Sequence, residues 1–108
     1  MKLLIRDEAD VEIANLAGAF GEARKGYGSR FLDALAKTYA SIQEFPTSYA
    51  RWEFGRHSRH LRRAVLRKFK VVVVFEVRES QDEVEIFAVF PGRRNSCYWM
   101  KKLKSDRN

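Results

Sequence analysis

Eight cationic side chains stand between residues 51 and 70, against the single acid Glu53. They are Arg51, Arg56, Arg59, Arg62, Arg63, Arg67, Lys68 and Lys70, with His57 and His60 set among them. Six of the eight are arginine, whose planar fork suits phosphate oxygens in a way that a solvated lysine face does not require. Such a run is the electrostatic footprint of a nucleic-acid or acidic-protein partner. The competing reading, an ordinary charged surface, calls for interspersed acids that are almost absent here. A second group follows: Arg93, Arg94, Lys101, Lys102 and Lys104, with no acid between Pro91 and Lys104. Tyr98 and Trp99 are interleaved with it. An aromatic ring beside arginine can stack on an unpaired base; alternatively Trp99 is a lid on the core and Tyr98 faces solvent. Arg56, Arg59, Arg62, Arg63, Arg67, Arg93, Arg94 and Lys101 are therefore the candidate residues for gripping a nucleic acid or other target.

Other chemistry is sparsely supplied. His57 and His60 are three apart and would share a face of a helical turn, but no Cys or carboxylate spacing completes a metal site. A general acid–base role is chemically open to them, yet they read more simply as loop residues. Cys97 has no companions for a nucleophile. Gly26-Tyr27-Gly28 lacks the preceding strand and later glycine of a phosphate loop. Neither a metal, a cofactor nor a small-molecule substrate is expected.

The elements that must position the cations can be read from periodicity. Leu3, Leu4 and Ile5 form a short apolar run that reads as a strand over Lys2 to Arg6. Ile13, Leu16, Ala17 and Phe20 then recur at helical spacing. Asp7, Glu8, Asp10 and Glu12 crowd the positive end of that helix dipole. Arg24 and Lys25 stand at its other end, with Gly26 and Gly28 as stop signals. A second helix carries the stripe Phe31, Leu32, Leu35, Tyr39 and Ile42 and ends at Phe45-Pro46. So short a connection predicts an antiparallel helix hairpin. Residues 47–60 read as loop or short helix. Arg62 to Phe69 reads as a basic strand, with Arg63 and Arg67 on one face and Arg62 and Lys68 on the other. Val71 to Val77 is rich in β-branched residues, as a central strand is. After a polar turn at residues 78–82, Val84, Ile86, Ala88 and Phe90 alternate with Glu83, Glu85, Phe87 and Val89, and Pro91-Gly92 closes the strand. The order is β-α-α-β-β-β: an α+β domain with a two-helix hairpin packed on a mostly antiparallel four-stranded sheet.

At 108 residues the chain has room for one domain, read here as residues 1–104 with a polar tail at 105–108 that frays. A 45% apolar and 32% charged composition excludes intrinsic disorder. The formal net charge of +7 is lopsided: residues 1–50 sum to −1, whereas residues 51–70 alone sum to +7. A single cysteine allows no intrachain disulfide and suits a reducing cytosol. The longest apolar run, Val71 to Phe75, falls far below the ~20 residues that span a bilayer, and the first residues are too briefly apolar for a signal peptide. A cytoplasmic protein without a membrane partner is expected.

The ordered set of these features resembles a known family. Gly26-Tyr27-Gly28-Ser29-Arg30-Phe31-Leu32, then Ile42, Phe45-Pro46 and Tyr49, resembles the second helix of RelE/ParE-family bacterial toxins. The resemblance continues through Arg62-Arg63, Phe69 and the valine strand to Phe75, and closes with Ile86-Phe87-Ala88-Val89, Arg93-Arg94 and Tyr98-Trp99. It extends over about residues 5–102. It implies the toxin of a type II toxin–antitoxin pair, neutralised by a cognate protein antitoxin. Within the family, RelE-like toxins enter the ribosome and cleave mRNA, and ParE-like toxins inhibit DNA gyrase. By matching positions, Arg62 or Arg63 and Arg93 or Arg94 would be the phosphate cations of a nuclease, with Tyr98 its base or acid. The departures are specific. Many relatives place a histidine just after the last strand, where this chain has Phe90-Pro91-Gly92. The segment often Phe-Pro-Tyr is Phe69-Lys70-Val71, and a common tyrosine in the next strand is Phe75. Without that histidine the best general base is gone, which favours a ParE-like toxin that acts by binding, or a weak or relic nuclease, over an active ribosome-dependent endoribonuclease; a non-toxic nucleic-acid-binding module is the remaining alternative.

Overall fold

The computed structural model describes residues 1–52 and 61–92. Within them the chain runs β1 (Lys2–Ile5), α1 (Asp7–Ala23), α2 (Tyr27–Glu44), a 3-10 turn at Pro46–Ser48, β2 (Leu61–Leu66), β3 (Val71–Arg78), a second 3-10 turn at Glu79–Gln81, and β4 (Glu83–Pro91). This is the expected β-α-α-β-β-β order. The sheet order is β1-β4-β3-β2, with β1 parallel to β4 and the other two pairings antiparallel. The helix hairpin thus carries the chain from one edge of the sheet to the other and covers one face on the way.

Each helix forms for local reasons. Asp7, Glu8 and Asp10 occupy the first turn of α1, where negative charge meets the unsatisfied N–H groups. Its inner side buries Ala9 completely and packs Ile13, Leu16, Ala17 and Phe20 against the core. Glu12 Oε1 accepts a hydrogen bond from the Val89 N–H at 3.2 Å, tying α1 to β4. The turn to α2 is made by Gly26 at φ 79°, a left-handed conformation that glycine adopts freely. Gly28 is not a stop signal as the sequence suggested: it lies inside α2 and is buried. A Cβ there would sit 2.5 Å from the Ala17 carbonyl oxygen, so its role is to let the two helices approach. Phe31, Leu35 and Ile42 are the buried residues of the α2 stripe. Leu32 is the exception, 45% exposed, because one residue beyond Phe31 is a ~100° rotation away from the core.

Two further expectations are corrected in the sheet. The basic strand ends at Leu66, three residues short of Phe69, and residues 67–70 form a tight turn in which Lys70 takes φ 56°. The Phe69 and Lys70 N–H groups bond back to the Leu66 and Arg67 carbonyls, so Arg67 and Lys68 are turn residues. In β4 the regular alternation breaks. Val74 pairs with Ala88 and Phe75 with Ile86, leaving Phe87 as the extra residue of a bulge. Before the bulge, Val84 and Ile86 face the helices; after it Val89 does, and Phe87, Ala88 and Phe90 fall on the opposite face. β3 alternates without interruption, Val71, Val73 and Phe75 facing the helices and Val74 the far side. The interior position of β3 and the burial of Val71, Val73, Val74 and Phe75 agree with its valine-rich reading.

Candidate target-binding site

The face of the sheet away from the helices carries one group of accessible cations. Cross-strand neighbours share a face, so the pairings assign sides. Arg62 pairs with Phe75 and faces the helices, whereas Arg63 pairs with Val74 and faces away. The two adjacent arginines therefore cannot act at one phosphate from the same surface. Arg62 is also engaged: its Nη1 donates to the Tyr49 carbonyl at 2.7 Å and to that of Thr47 at 3.4 Å. Tyr49 in turn stacks edge-on against Phe75 at 5.6 Å and shares a 2.5 Å hydroxyl contact with Ser41. Arg62 thus pins the segment after α2 to the sheet. The N–H groups of Trp52 and Arg63 bond to the carbonyls of Leu61 and Ala50, so Ala50 to Trp52 lie beside the start of β2. Arg62→Ala should cost about 1–2 kcal/mol through the lost charged hydrogen bonds, reduced for partial exposure. Arg63→Ala, at an exposed site, should stay within about 0.5 kcal/mol. Denaturant midpoints of the two variants check this, and equal losses would contradict the assignment of sides.

Arg63 looks onto an apolar floor. The rows Arg63–Val74–Ala88 and Val65–Val72–Phe90 cross this face. Beyond them a depression of about 450 Å³ is lined by Val65, Arg67, Lys70, Val72 and Gly92. Val65 is 51% exposed. Although Arg67 is not in a strand, it lines the same face as Arg63, as the sequence suggested. The described lining sets two cations, Arg67 and Lys70, over apolar side chains, an arrangement that can grip an anion. Arg93 and Arg94 follow Gly92 directly in the sequence; they and Arg56, Arg59, Tyr98 and Lys101 lie outside the described residues.

The other end of the far face is built for structure. Arg6 Nε meets Glu85 Oε2 at 3.0 Å, and Arg78 Nη1 meets Glu85 Oε1 at 2.8 Å and bridges to Glu76. The Arg6 guanidinium lies 3.7 Å from the centre of the Phe87 ring, a cation–π contact set up by the bulge. Burial opposes the charge on Glu85, but hydrogen bonds from Arg78 and Arg6, with their charges, outweigh it and hold the carboxyl below the usual carboxylate range. A lowered folded value means that the network stabilises above the ordinary carboxylate pKa and that this contribution is withdrawn as pH falls through the lowered value. Within the hairpin, the Tyr39 hydroxyl is buried without a hydrogen-bond partner; burial, and then the charge of Asp10, push its pKa upward. Among the described residues no cluster of His, Cys, Asp and Glu could hold a metal ion, and no helix is long and apolar enough to cross a membrane.

This architecture, a two-helix hairpin on one face of a four-stranded sheet with cations on the other, matches a solved fold. The isolated Escherichia coli RelE toxin is similar with a TM-score of 0.60, covering 96% of this chain and 97% of that one at 16% sequence identity. The chain therefore has the RelE fold over nearly its whole length, as its sequence resemblance implied. No protein-family model matches the chain, and no curated protein matches it by sequence.

The sequence missed two parts of the cationic surface. Lys68 and Lys70 stand in the basic run but outside the candidate site residues. Arg30 and Lys37, in a half of the chain with no positive excess, had no local signal at all.

Proposed function

We propose that this protein is the toxin of a type II toxin–antitoxin pair and that it acts by gripping its target. The RelE fold over 96% of the chain supports the toxin class. The single observation that carries the binding mode is the cleft on the far face of the sheet, where the cations Arg67 and Lys70 stand over Val65 and Val72. A nuclease needs a group to take the 2′-hydroxyl proton and another to protonate the leaving oxygen; a grip needs only charge and shape. DNA gyrase, the target of ParE-like toxins, is the target this reading favours, with a cognate antitoxin as neutralising partner and the cytoplasm as its location. Inducing the gene alone should arrest growth, and co-expressing the adjacent small open reading frame should restore it. Normal growth despite confirmed folded protein would remove the toxin reading. Purified protein should then inhibit supercoiling by gyrase, and no inhibition at saturation would count against that target.

The likeness to RelE itself favours a second reading, a ribosome-dependent mRNA endoribonuclease using Arg62, Arg63, Arg93, Arg94 and Tyr98. Primer extension on translated mRNA separates the two. Cuts inside codons that vanish in Tyr98→Phe would favour cleavage; intact message in arrested cells would favour the grip.

A further inference from the structure

We propose that Arg30 and Lys37 of α2, together with Lys68 of the β2–β3 turn, form a binding site for the phosphodiester backbone of a nucleic acid. Helical spacing sets Arg30 and Lys37 seven residues apart on one side of α2, with Asp33 and Ala34 between them. The β2–β3 turn brings Lys68 and Phe69 against that side, and the six residues enclose a cleft of about 280 Å³. Its wall holds three cations and one carboxylate. Among the described residues the ion pairs join Arg6, Glu76, Arg78 and Glu85, and none of the three cleft cations takes part. Phe69 makes the floor at 8% exposure, and its ring is fixed by Phe20, Tyr27 and Phe31 at centroid distances of 5.3, 4.9 and 5.6 Å. The turn is therefore rigidly seated.

The geometry of the turn selects the ligand. Arg67 and Lys70 line the cleft on the far face, while Lys68 lines this one on the helix side. Four consecutive residues thus distribute three cations between the two sides of the hairpin's end. A phosphodiester strand carries one charge on every nucleotide, about 3.4 Å of axis apart in a helical strand, so a strand laid along the cleft of Arg30, Lys37 and Lys68 meets its cations in any register. An acidic peptide would match them only if its carboxylates fell at the right intervals. The inference does not depend on the toxin reading, since it concerns affinity and not growth.

The test is fluorescence anisotropy of the full chain with labelled oligonucleotides across a salt series, single-stranded RNA in one arm and duplex DNA in the other. The variant is Arg30→Gln/Lys37→Gln/Lys68→Gln, all three exposed, with thermal melts to confirm that the fold is kept. Its control is Lys2→Gln/Arg24→Gln/Lys25→Gln, which removes the same charge from exposed positions elsewhere. Loss of three phosphate contacts should flatten the slope of log K against log salt by ~2 on single-stranded RNA or ~3 on duplex DNA, and weaken binding at least about 100-fold near 0.1 M salt. The control should change affinity only a few-fold. That difference in either arm supports the site and tells which nucleic acid uses it. Equal behaviour of variant and control would overturn it, as would a loss seen with polyglutamate but with neither oligonucleotide.

Discussion

Phe69→Ala should lower the unfolding free energy by about 3–5 kcal/mol, the usual cost of emptying a buried phenylalanine site. Phe69 sits at the centre of three rings: Phe20, Tyr27 and Phe31 all lie within 5.6 Å of it, and Phe20 and Phe31 also touch each other at 5.1 Å. Those neighbours come from both helices, whereas Phe69 comes from a turn in the sheet, so its truncation opens the joint between the layers. Collapse is hindered because Val71 and Leu66, on either side of the turn, are fixed in the sheet ladder. At several degrees per kcal/mol for a domain of this size, the melting temperature should fall by roughly 15–20 °C. Phe69→Leu, which refills part of the space, should lose clearly less. Calorimetry of both variants checks the ordering; a loss below about 1 kcal/mol for alanine would mean that the ring cluster does not hold the turn. Because the same turn presents Arg67, Lys68 and Lys70, the variant should also weaken oligonucleotide binding without removing a charge.

The second large effect is one of opposite signs at two glycines. Gly28→Ala places a methyl carbon 2.5 Å from the Ala17 carbonyl oxygen, a distance that backbone atoms must move to relieve. Alanine gains up to ~1 kcal/mol over glycine in a helix, but forced overpacking costs about 1–3 kcal/mol and more where rigid backbone is struck. The net result should be a loss of about 1–3 kcal/mol. Gly18→Ala, within α1 where a Cβ meets nothing within 4 Å, should instead gain about 0.5–1 kcal/mol from the same propensity term. Urea midpoints of the pair decide the matter, since helix propensity alone would predict a gain at both. A stabilised Gly28→Ala would show that the helices can part at no cost.

Much of this architecture was legible before any coordinates. Periods of 3.6 and 2 place the two helices and the valine strand, and the acids before Ile13 mark where α1 starts, because these signals are local and repeat along the chain. Residues whose role depends on a contact distant in sequence were misread. Gly28 looked like a stop signal because the carbonyl it must clear belongs to Ala17, on the other helix. The break in alternation at Phe87 leaves no mark in a sequence where Phe87, Ala88, Val89 and Phe90 are all apolar. Arg62 and Arg63 were offered as equivalent phosphate cations, yet strand geometry turns them to opposite faces, and only the carbonyls of Thr47 and Tyr49 explain what Arg62 holds.

The charge itself divides in the same way. The sequence by itself determined that a small α+β domain would carry its positive excess in residues 51–70, with acids nearly absent, because composition and order along the chain need no folding to be counted. Where that charge works was decided by the tertiary structure. Sheet pairing sends Arg63 to one face, the β2–β3 turn sets Arg67 on that face and Lys68 on the other, and packing of Phe69 against the helices carries Lys68 to Arg30 and Lys37. Those two belong to a half of the chain whose formal charge is −1, and they join the cationic surface because electrostatic potential depends on distance in space, not on separation in sequence.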